Sequence, residues 1–419
     1  MFGIKTFVKN NILYPHFLFP QDNGRFPEKP VSRIRIKARL LGILTRLKDQ
    51  KKYAGLGNLV CFPHKAVIDV WSNFLPYNPN NLGNWSIKEV KPNQETSAIE
   101  RELIWQMIDL YGGSKNELEG YATSGGTEAN IFSAWLGRNF LESKGIKKEK
   151  IILIKTSLTH YSIEKAADII GVKTFITPLN EENWGMDIDG LEKNIRGLQK
   201  RGYKGFLLPL TLGYTLTGTF DPFERISCLV RDLKKGSQGL EFFLWLDAAI
   251  NGLVEPFLNK SFRPFAYLEI QTFLTDFHKF GFAPIPAGLI LYRKELRPLI
   301  EKPIDYLAEK DSTLLGSRSG IAPAVCWGVV NRLGKSGFKK LILRAQRKKE
   351  AFIEGMKEIN GLKIITDRNS LNCALIKEDV KLNTSQIEKE YGLLFRQIYL
   401  HFTHKKTTEL IAKAFFNSC

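Results

Sequence analysis

The sequence has no apolar run near the roughly 20 residues that span a bilayer; its longest, such as Gly205–Leu210 and Gly288–Tyr292, are strand-sized. That excludes a transmembrane segment. Cysteine is scarce too: Cys61, Cys228, Cys326, Cys373 and Cys419 are odd in number, scattered and without a CxxC pair. A disulfide scaffold and a cysteine-rich zinc site are therefore excluded, no metal ion is expected, and a reducing, cytoplasmic setting fits. The N-terminal stretch Met1–Phe19 carries Lys5 and Lys9 among its apolar residues and no small-residue cleavage site, so it is a poor signal peptide. Acid is short, with 43 Asp+Glu against 61 Lys+Arg in 419 residues, a net charge of +18. The excess invites a nucleic-acid reading. Zinc-finger spacing, an RNP-like aromatic motif and a helix-turn-helix signature are all missing, so no nucleic acid is expected as a partner.

What is present is a globular composition: 43% hydrophobic and 11% aromatic residues, well clear of disorder. The positive charge is uneven. Residues 1–50 hold ten Lys/Arg and three acids, and within them Ser32–Leu47 interleaves basic and apolar side chains. Such a stretch could lie on an anionic membrane surface, but a helix packed on the main body or on a second protomer is the expected reading. Phe338–Phe352 reads as an ordinary amphipathic surface helix.

From about residue 95 helices and short apolar strands alternate. Helices are expected over Ala98–Tyr111, Thr127–Ser143, Ser162–Ile170, Asp189–Lys200 and Pro222–Leu233. Strands are expected over Ile151–Lys155, Thr174–Pro178, Gly205–Pro209 and Phe242–Asp247. Continuous rather than alternating apolar runs imply an α/β fold, a largely parallel sheet covered on both faces. Beyond Gly320 come two long helical stretches, Ala322–Leu333 and Lys335–Ile359. Short strands follow at Leu362–Thr366, Cys373–Ile376 and Leu394–Tyr399, then a helix at Lys406–Asn417. This order suggests a basic N-terminal extension (1–50), a large domain (51–310) and a small α+β C-terminal domain (311–419).

Four segments carry chemistry. YATSGGTEAN (Tyr121–Asn130) has a Ser-Gly-Gly-Thr turn entering a helix, which offers N–H groups to a phosphate, though such turns often merely connect a strand to a helix. THYSIEKA (Thr159–Ala166) holds His160. FFLWLDAAING (Phe242–Gly252) ends an apolar strand on Asp247, pointing into the crevice where α/β proteins bind ligands, or equally a loop carboxylate. TDFHKFGFAPIPAGLILYR (Thr275–Arg293) sets His278 and Lys279 among apolar neighbours, where burial would depress a lysine's pKa and favour Schiff-base chemistry.

The ordered set of phosphate turn, histidine, aspartate and lysine resembles the group II pyridoxal-phosphate-dependent decarboxylases, and most of all their archaeal tyrosine/aspartate branch. Sphingosine-phosphate lyase is a near relative. CFPHKAVIDVWSNFLPYNPNNLGNW (Cys61–Trp85), LGYTLTGTFDPFERIS (Leu212–Ser227) and LLGSRSG (Leu314–Gly320) extend the likeness to the C-terminus from about Gly55. It implies the type I fold of the aspartate aminotransferase-like enzymes and a cofactor, pyridoxal 5'-phosphate. It implies decarboxylation of a small-molecule L-amino acid to the amine and CO2, with carbon–carbon cleavage of the sphingosine-phosphate-lyase kind as the alternative.

By the same resemblance Lys279 is the Schiff-base lysine, and Asp247 pairs with the pyridine nitrogen so that the carbanion left by CO2 loss is delocalised. His160 stacks on the ring, and Ala249 packs against it. Gly125, Gly126 and Thr127 cradle the phosphate, helped by His278 and Thr272. Thr215 lies near the cofactor's phenolic oxygen, and Tyr306 is the mobile-loop tyrosine reaching a neighbouring protomer's site, in a homodimer with shared active sites. Three departures adjoin these residues: Trp245 precedes Leu-Asp where the family usually has histidine, Phe277 precedes His-Lys, and Tyr214 holds a frequent threonine position.

Overall fold

The computed structural model describes residues 30–50, 61–83, 95–236, 239–305, 309–357, 362–377 and 398–401. In chain order its principal elements begin with α1 (Arg33–Gln50), α2 (Lys65–Phe74), β1 (Asn80–Leu82), α3 (Glu95–Leu110), β2 (Leu118–Thr123), α4 (Gly126–Ser143), β3 (Ile151–Lys155) and α5 (Ser162–Ile170). They continue with β4 (Lys173–Ile176), α6 (Ile188–Lys200), β5 (Gly205–Thr211), α7 (Phe223–Gly236), β6 (Glu241–Asp247), α8 (Glu255–Leu258), β7 (Ile270–Asp276) and β8 (Gly288–Arg293). The rest are β9 (Lys302–Ile304), β10 (Glu309–Asp311), β11 (Ser317–Ser319), α9 (Ile321–Met356), β12 (Leu362–Ile365), β13 (Asn372–Lys377) and β14 (Ile398–His401).

Seven strands form the central sheet in the order β2-β8-β7-β6-β5-β3-β4. Strands β3 to β7 pair in parallel, and only β8 runs against its neighbours β2 and β7. Apolar runs such as IILIK in β3 and GFLLPLT in β5 are buried at every position, because helices cover both faces. On one face Leu103, Leu191, Ile226 and Val325 of α3, α6, α7 and α9 join the sheet in one core. On the other, Ala129, Phe132 and Leu136 of α4 and Ile163 and Ala167 of α5 form a second. This is the α/β architecture that the strand-helix alternation implied.

The expected helix Ser162–Ile170 and strand Ile151–Lys155 are found with those bounds; most others shift by one to three residues. The two long C-terminal stretches are helical as expected and meet at Gly334 (φ 58°, ψ −179°), where the backbone leaves the helix between them; the label α9 covers both. Strands β12, β13 and β14 form a separate antiparallel sheet. The expected helix Lys406–Asn417 lies outside the described residues, as does Leu394–Gln397 of the last expected strand. Lys349 of α9, 2% exposed, donates to the carbonyls of Asp367, Arg368 and Ser370 at 2.8, 3.1 and 2.6 Å. The loop so held reaches the segment after β6 through Asn369, whose carbonyl accepts from Asn251 (3.2 Å) and whose side-chain amide donates to Glu255 (3.0 Å).

Candidate active site

The parallel strands end along one edge of the sheet, and there Thr211 of β5, Asp247 of β6 and Asp276 of β7 border a cavity of about 300 Å³. A crevice at the carboxyl edge is where open α/β sheets bind ligands. The turn between β2 and α4 forms one wall. Gly125 has φ 154°, and a Cβ there would sit 3.1 Å from His278 Cε1. One on Gly126 would sit 3.2 Å from Asp276 Oδ2. Glycine at both positions leaves the space open. Helix α4 starts at Gly126, and its first N–H groups have no intrahelical acceptors, so the turn presents donors and the positive end of an 18-residue helix. Glu128 closes the turn from behind, accepting from the Ser124 N–H at 2.7 Å.

Asp247 is 6% exposed, and both its oxygens accept: Oδ2 from Asn130 Nδ2 at 2.7 Å, Oδ1 from the Ala249 N–H at 3.2 Å. His160 stands across the cavity. Its Nδ1 lies 2.8 Å from Ser162 Oγ and accepts the Ser162 N–H at 3.3 Å, so the ring proton sits on Nε2. Burial pulls the His160 pKa below the ordinary histidine value and the Lys279 charge adds to this, against the opposing pull of Asp247. The ring is thus neutral near pH 7.

Lys279 Nζ and His278 Nε2 both face Asp276 Oδ2, at 3.5 and 3.4 Å. His278 Nδ1 donates to the Ala287 carbonyl at 2.9 Å, which fixes the ring. Burial pushes the Asp276 carboxyl above the usual carboxylate range, with Lys279 and His278 working against that, and its Oδ1 has no hydrogen-bond partner. An orphaned buried oxygen beside a glycine-lined opening marks a place where polar groups are to be completed by something bound.

The loop carrying Thr215 is held by Asp221. Its carboxylate accepts from the N–H groups of Thr211 and Met186 and from the Tyr214 hydroxyl, at 2.7, 2.7 and 2.8 Å. Burial nevertheless pushes Asp221 up to about 6 from the ordinary aspartate value of 3.8. The folded state therefore holds an extra proton between those two values, and the stability Asp221 gives falls as pH rises through that window. Tyr214→Phe removes a donor to the ionised form. We expect it to cost about 1.5–3 kcal/mol at pH 8, where the carboxylate is charged, and about 1 kcal/mol at pH 4.5, where it is protonated. Urea midpoints at the two pH values check this; an equal loss at both would mean that the hydroxyl does not support the charge.

Nine of the residues expected from the sequence line this one cavity: Gly125, Gly126, Thr127, His160, Thr215, Asp247, Ala249, His278 and Lys279. Thr272 does not join them. It lies four residues back along β7 from Asp276, about 13 Å at the rise of a strand, is fully buried, and hydrogen-bonds Ser133 Oγ at 2.7 Å. A phosphate contact from Thr272 is thus corrected to a core hydrogen bond. Tyr306 lies outside the described residues. Asn130 and Asp276 were missed as site residues, although both stand in the quoted motifs: Asn130 one helical turn past Gly126, Asp276 two residues before His278. Tyr161, 61% exposed, joins them at the cavity mouth.

An amine, a doubly hydrogen-bonded carboxylate, a neutral imidazole and an anion-binding helix start fit a cofactor with a carbonyl, a basic ring nitrogen and a phosphate. The fold and this donor set define a lysine-bearing α/β enzyme of the pyridoxal-phosphate type. Residues 89–376 match the family model "Pyridoxal-dependent decarboxylase conserved domain", and the chain belongs to that family. Tryptophan decarboxylase of Clostridium sporogenes is 29% identical over 323 residues, 76% of this chain and 75% of that protein. A probable L-tyrosine/L-aspartate decarboxylase of Methanothermobacter thermautotrophicus is 29% identical over 316 residues, 73% and 78% of the two chains. Among solved structures, sphingosine-1-phosphate lyase of Burkholderia pseudomallei superposes with a TM-score of 0.80 at 18% identity, over 97% of this chain and 94% of that one, a likeness of fold. The protein is a pyridoxal 5'-phosphate-dependent amino-acid decarboxylase.

Proposed function

We propose that this cavity decarboxylates an L-amino acid with Lys279, Asp247 and His160 as its working groups. The observation that supports this reading is the convergence of a lysine amine, a hydrogen-bonded carboxylate and a helix N-terminus on one cavity of about 300 Å³. When bound, pyridoxal 5'-phosphate supplies an electron sink for the pair released as CO2 departs. In our reading Lys279 holds the cofactor's carbonyl carbon. Asp247, which accepts from Asn130 and the Ala249 N–H, would hold a proton on the ring nitrogen. Gly125, Gly126 and Thr127 at the start of α4 would take the phosphate, with His278 beside them. His160 would lie on the ring face with its Nε2–H directed into the cavity, where it can move a proton at the substrate's α-carbon, while Ala249 leaves room for the ring and Thr215 approaches its edge.

We propose further that the enzyme is a homodimer of the cytoplasm, with the division into residues 51–310 and 311–419 separating the cofactor domain from a smaller one. The exposed apolar side chains of α1, Ile34, Leu40, Leu41 and Leu44 among them, support a second protomer as what covers that helix. Among the described residues no helix is long and apolar enough to cross a membrane. The direct test of function is CO2 release from each common L-amino acid by protein reconstituted with pyridoxal 5'-phosphate. Release from one or two would name the substrate. A reconstituted protein that retains the cofactor and releases none from any of them would overturn the reading.

A further inference from the structure

We propose that Asn130 is the positioning residue for Asp247, and that Trp245 keeps the Asn130 amide the right way round. Asn130 is 1% exposed and Trp245 fully buried, in the wall behind the cavity. The Trp245 Nε1–H lies 3.0 Å from Asn130 Oδ1. An indole nitrogen can only donate, so this contact fixes which end of the amide is oxygen. The Asn130 NH2 group must then face the other way, and its two hydrogens are taken up in full: one by Asp247 Oδ2 at 2.7 Å, the other by Ser162 Oγ at 3.0 Å. With Oγ accepting there, the Ser162 hydroxyl is turned to His160 Nδ1 at 2.8 Å. A single directed chain thus runs from the indole through the amide to both the carboxylate and the imidazole.

The alternative orientation shows what Trp245 contributes. A flipped amide would set its oxygen against the Asp247 carboxylate and its NH2 against the indole N–H, two repulsive contacts among buried groups. Without the indole, only one of those contacts opposes the flip. Asp247 Oδ2 would then lose its side-chain donor and the carboxylate would be less firmly placed toward the cavity. Phenylalanine at 245 keeps an aromatic ring in the core but has no donor.

This inference rests on the proposed meeting of Asp247 with the cofactor's ring nitrogen, and the test separates the two. The probes are pyridoxal 5'-phosphate and its deaza analogue, in which the ring nitrogen is replaced by C–H. Their dissociation constants are measured by fluorescence quenching of cofactor-free protein, for the wild type, Trp245→Phe and Asn130→Ala. The wild type should prefer the nitrogen-bearing cofactor. Each variant should cut that preference about tenfold, the worth of a hydrogen bond to a charged group, while affinity for the analogue changes by less than about threefold. Equal losses for both probes would show a merely structural role and overturn the proposal, as would an unchanged preference. No preference in the wild type would instead overturn the meeting of Asp247 with the nitrogen, and the inference with it. Should Asn130→Ala fail to fold, Trp245→Phe decides alone.

Discussion

Lys279→Ala is expected to lower kcat by about 10⁴-fold, the upper end of what removing a positioned proton-transfer group costs, with little change in stability. The side chain is 17% exposed at the cavity wall and its ion pair to Asp276 spans 3.5 Å, so the amine is placed for chemistry rather than for packing. Lys279→Arg sharpens the point. A guanidinium keeps the charge near Asp276, but it cannot give up its proton in a protein and so cannot act as a nucleophile. If Lys279 served only as a counter-charge, arginine would retain most of the activity. We expect Lys279→Arg to be as inactive as the alanine variant, with both melting close to the wild type. Turnover above about 1% of wild type in either variant, a 10²-fold loss or less, would remove Lys279 from its proposed role. Measuring kcat beside the unfolding midpoint separates lost chemistry from lost folding.

Much of the sheet was legible because its central strands are apolar throughout. IILIK and GFLLPL declare burial on two faces without any knowledge of what covers them. Strand β2 was harder to see. Its sequence LEGYAT places Glu119 and Gly120 in a strand buried at every position, and the Glu119 charge is met by Arg297 at 3.4 Å, a residue 178 positions away whose approach no local pattern announces. The site divides the same way. Lys279, Asp247 and His160 stand in motifs short enough to read along the chain. Asn130 matters because β6 brings Trp245 and Asp247 alongside α4, a juxtaposition made by the sheet order. Thr272 was misjudged for a related reason: the residue type suits a phosphate, but its place along β7 sets it in the core.

The largest stability effect is expected from the buried ion pair between Arg318 of β11 and Glu100 of α3, whose side chains are 5% and 0% exposed. Around it four elements are tied. Arg318 also donates to the carbonyls of Ala122 and Gly83, at 3.2 and 3.3 Å, and lies 5.1 Å over the Tyr121 ring. Glu100 accepts the Ala122 N–H at 2.7 Å and the Asn81 amide as well. Arg318→Met or Glu100→Leu leaves the other charge uncompensated away from water, and each should cost about 3–5 kcal/mol. The double variant removes both charges. It still orphans the Ala122 N–H and the Asn81 amide, at about 1–3 kcal/mol each, so it should be no less stable than the worse single variant and far from the sum of the two. Urea midpoints and slopes for the four proteins give the coupling, expected at about 2 kcal/mol or more; additive losses would mean that the charges do not meet. Ala122 stands two residues before the Ser124–Gly126 turn. The single variants should therefore also bind pyridoxal 5'-phosphate more weakly at temperatures where they remain folded, because the pair that fixes the end of β2 also fixes the opening into which the phosphate would fit.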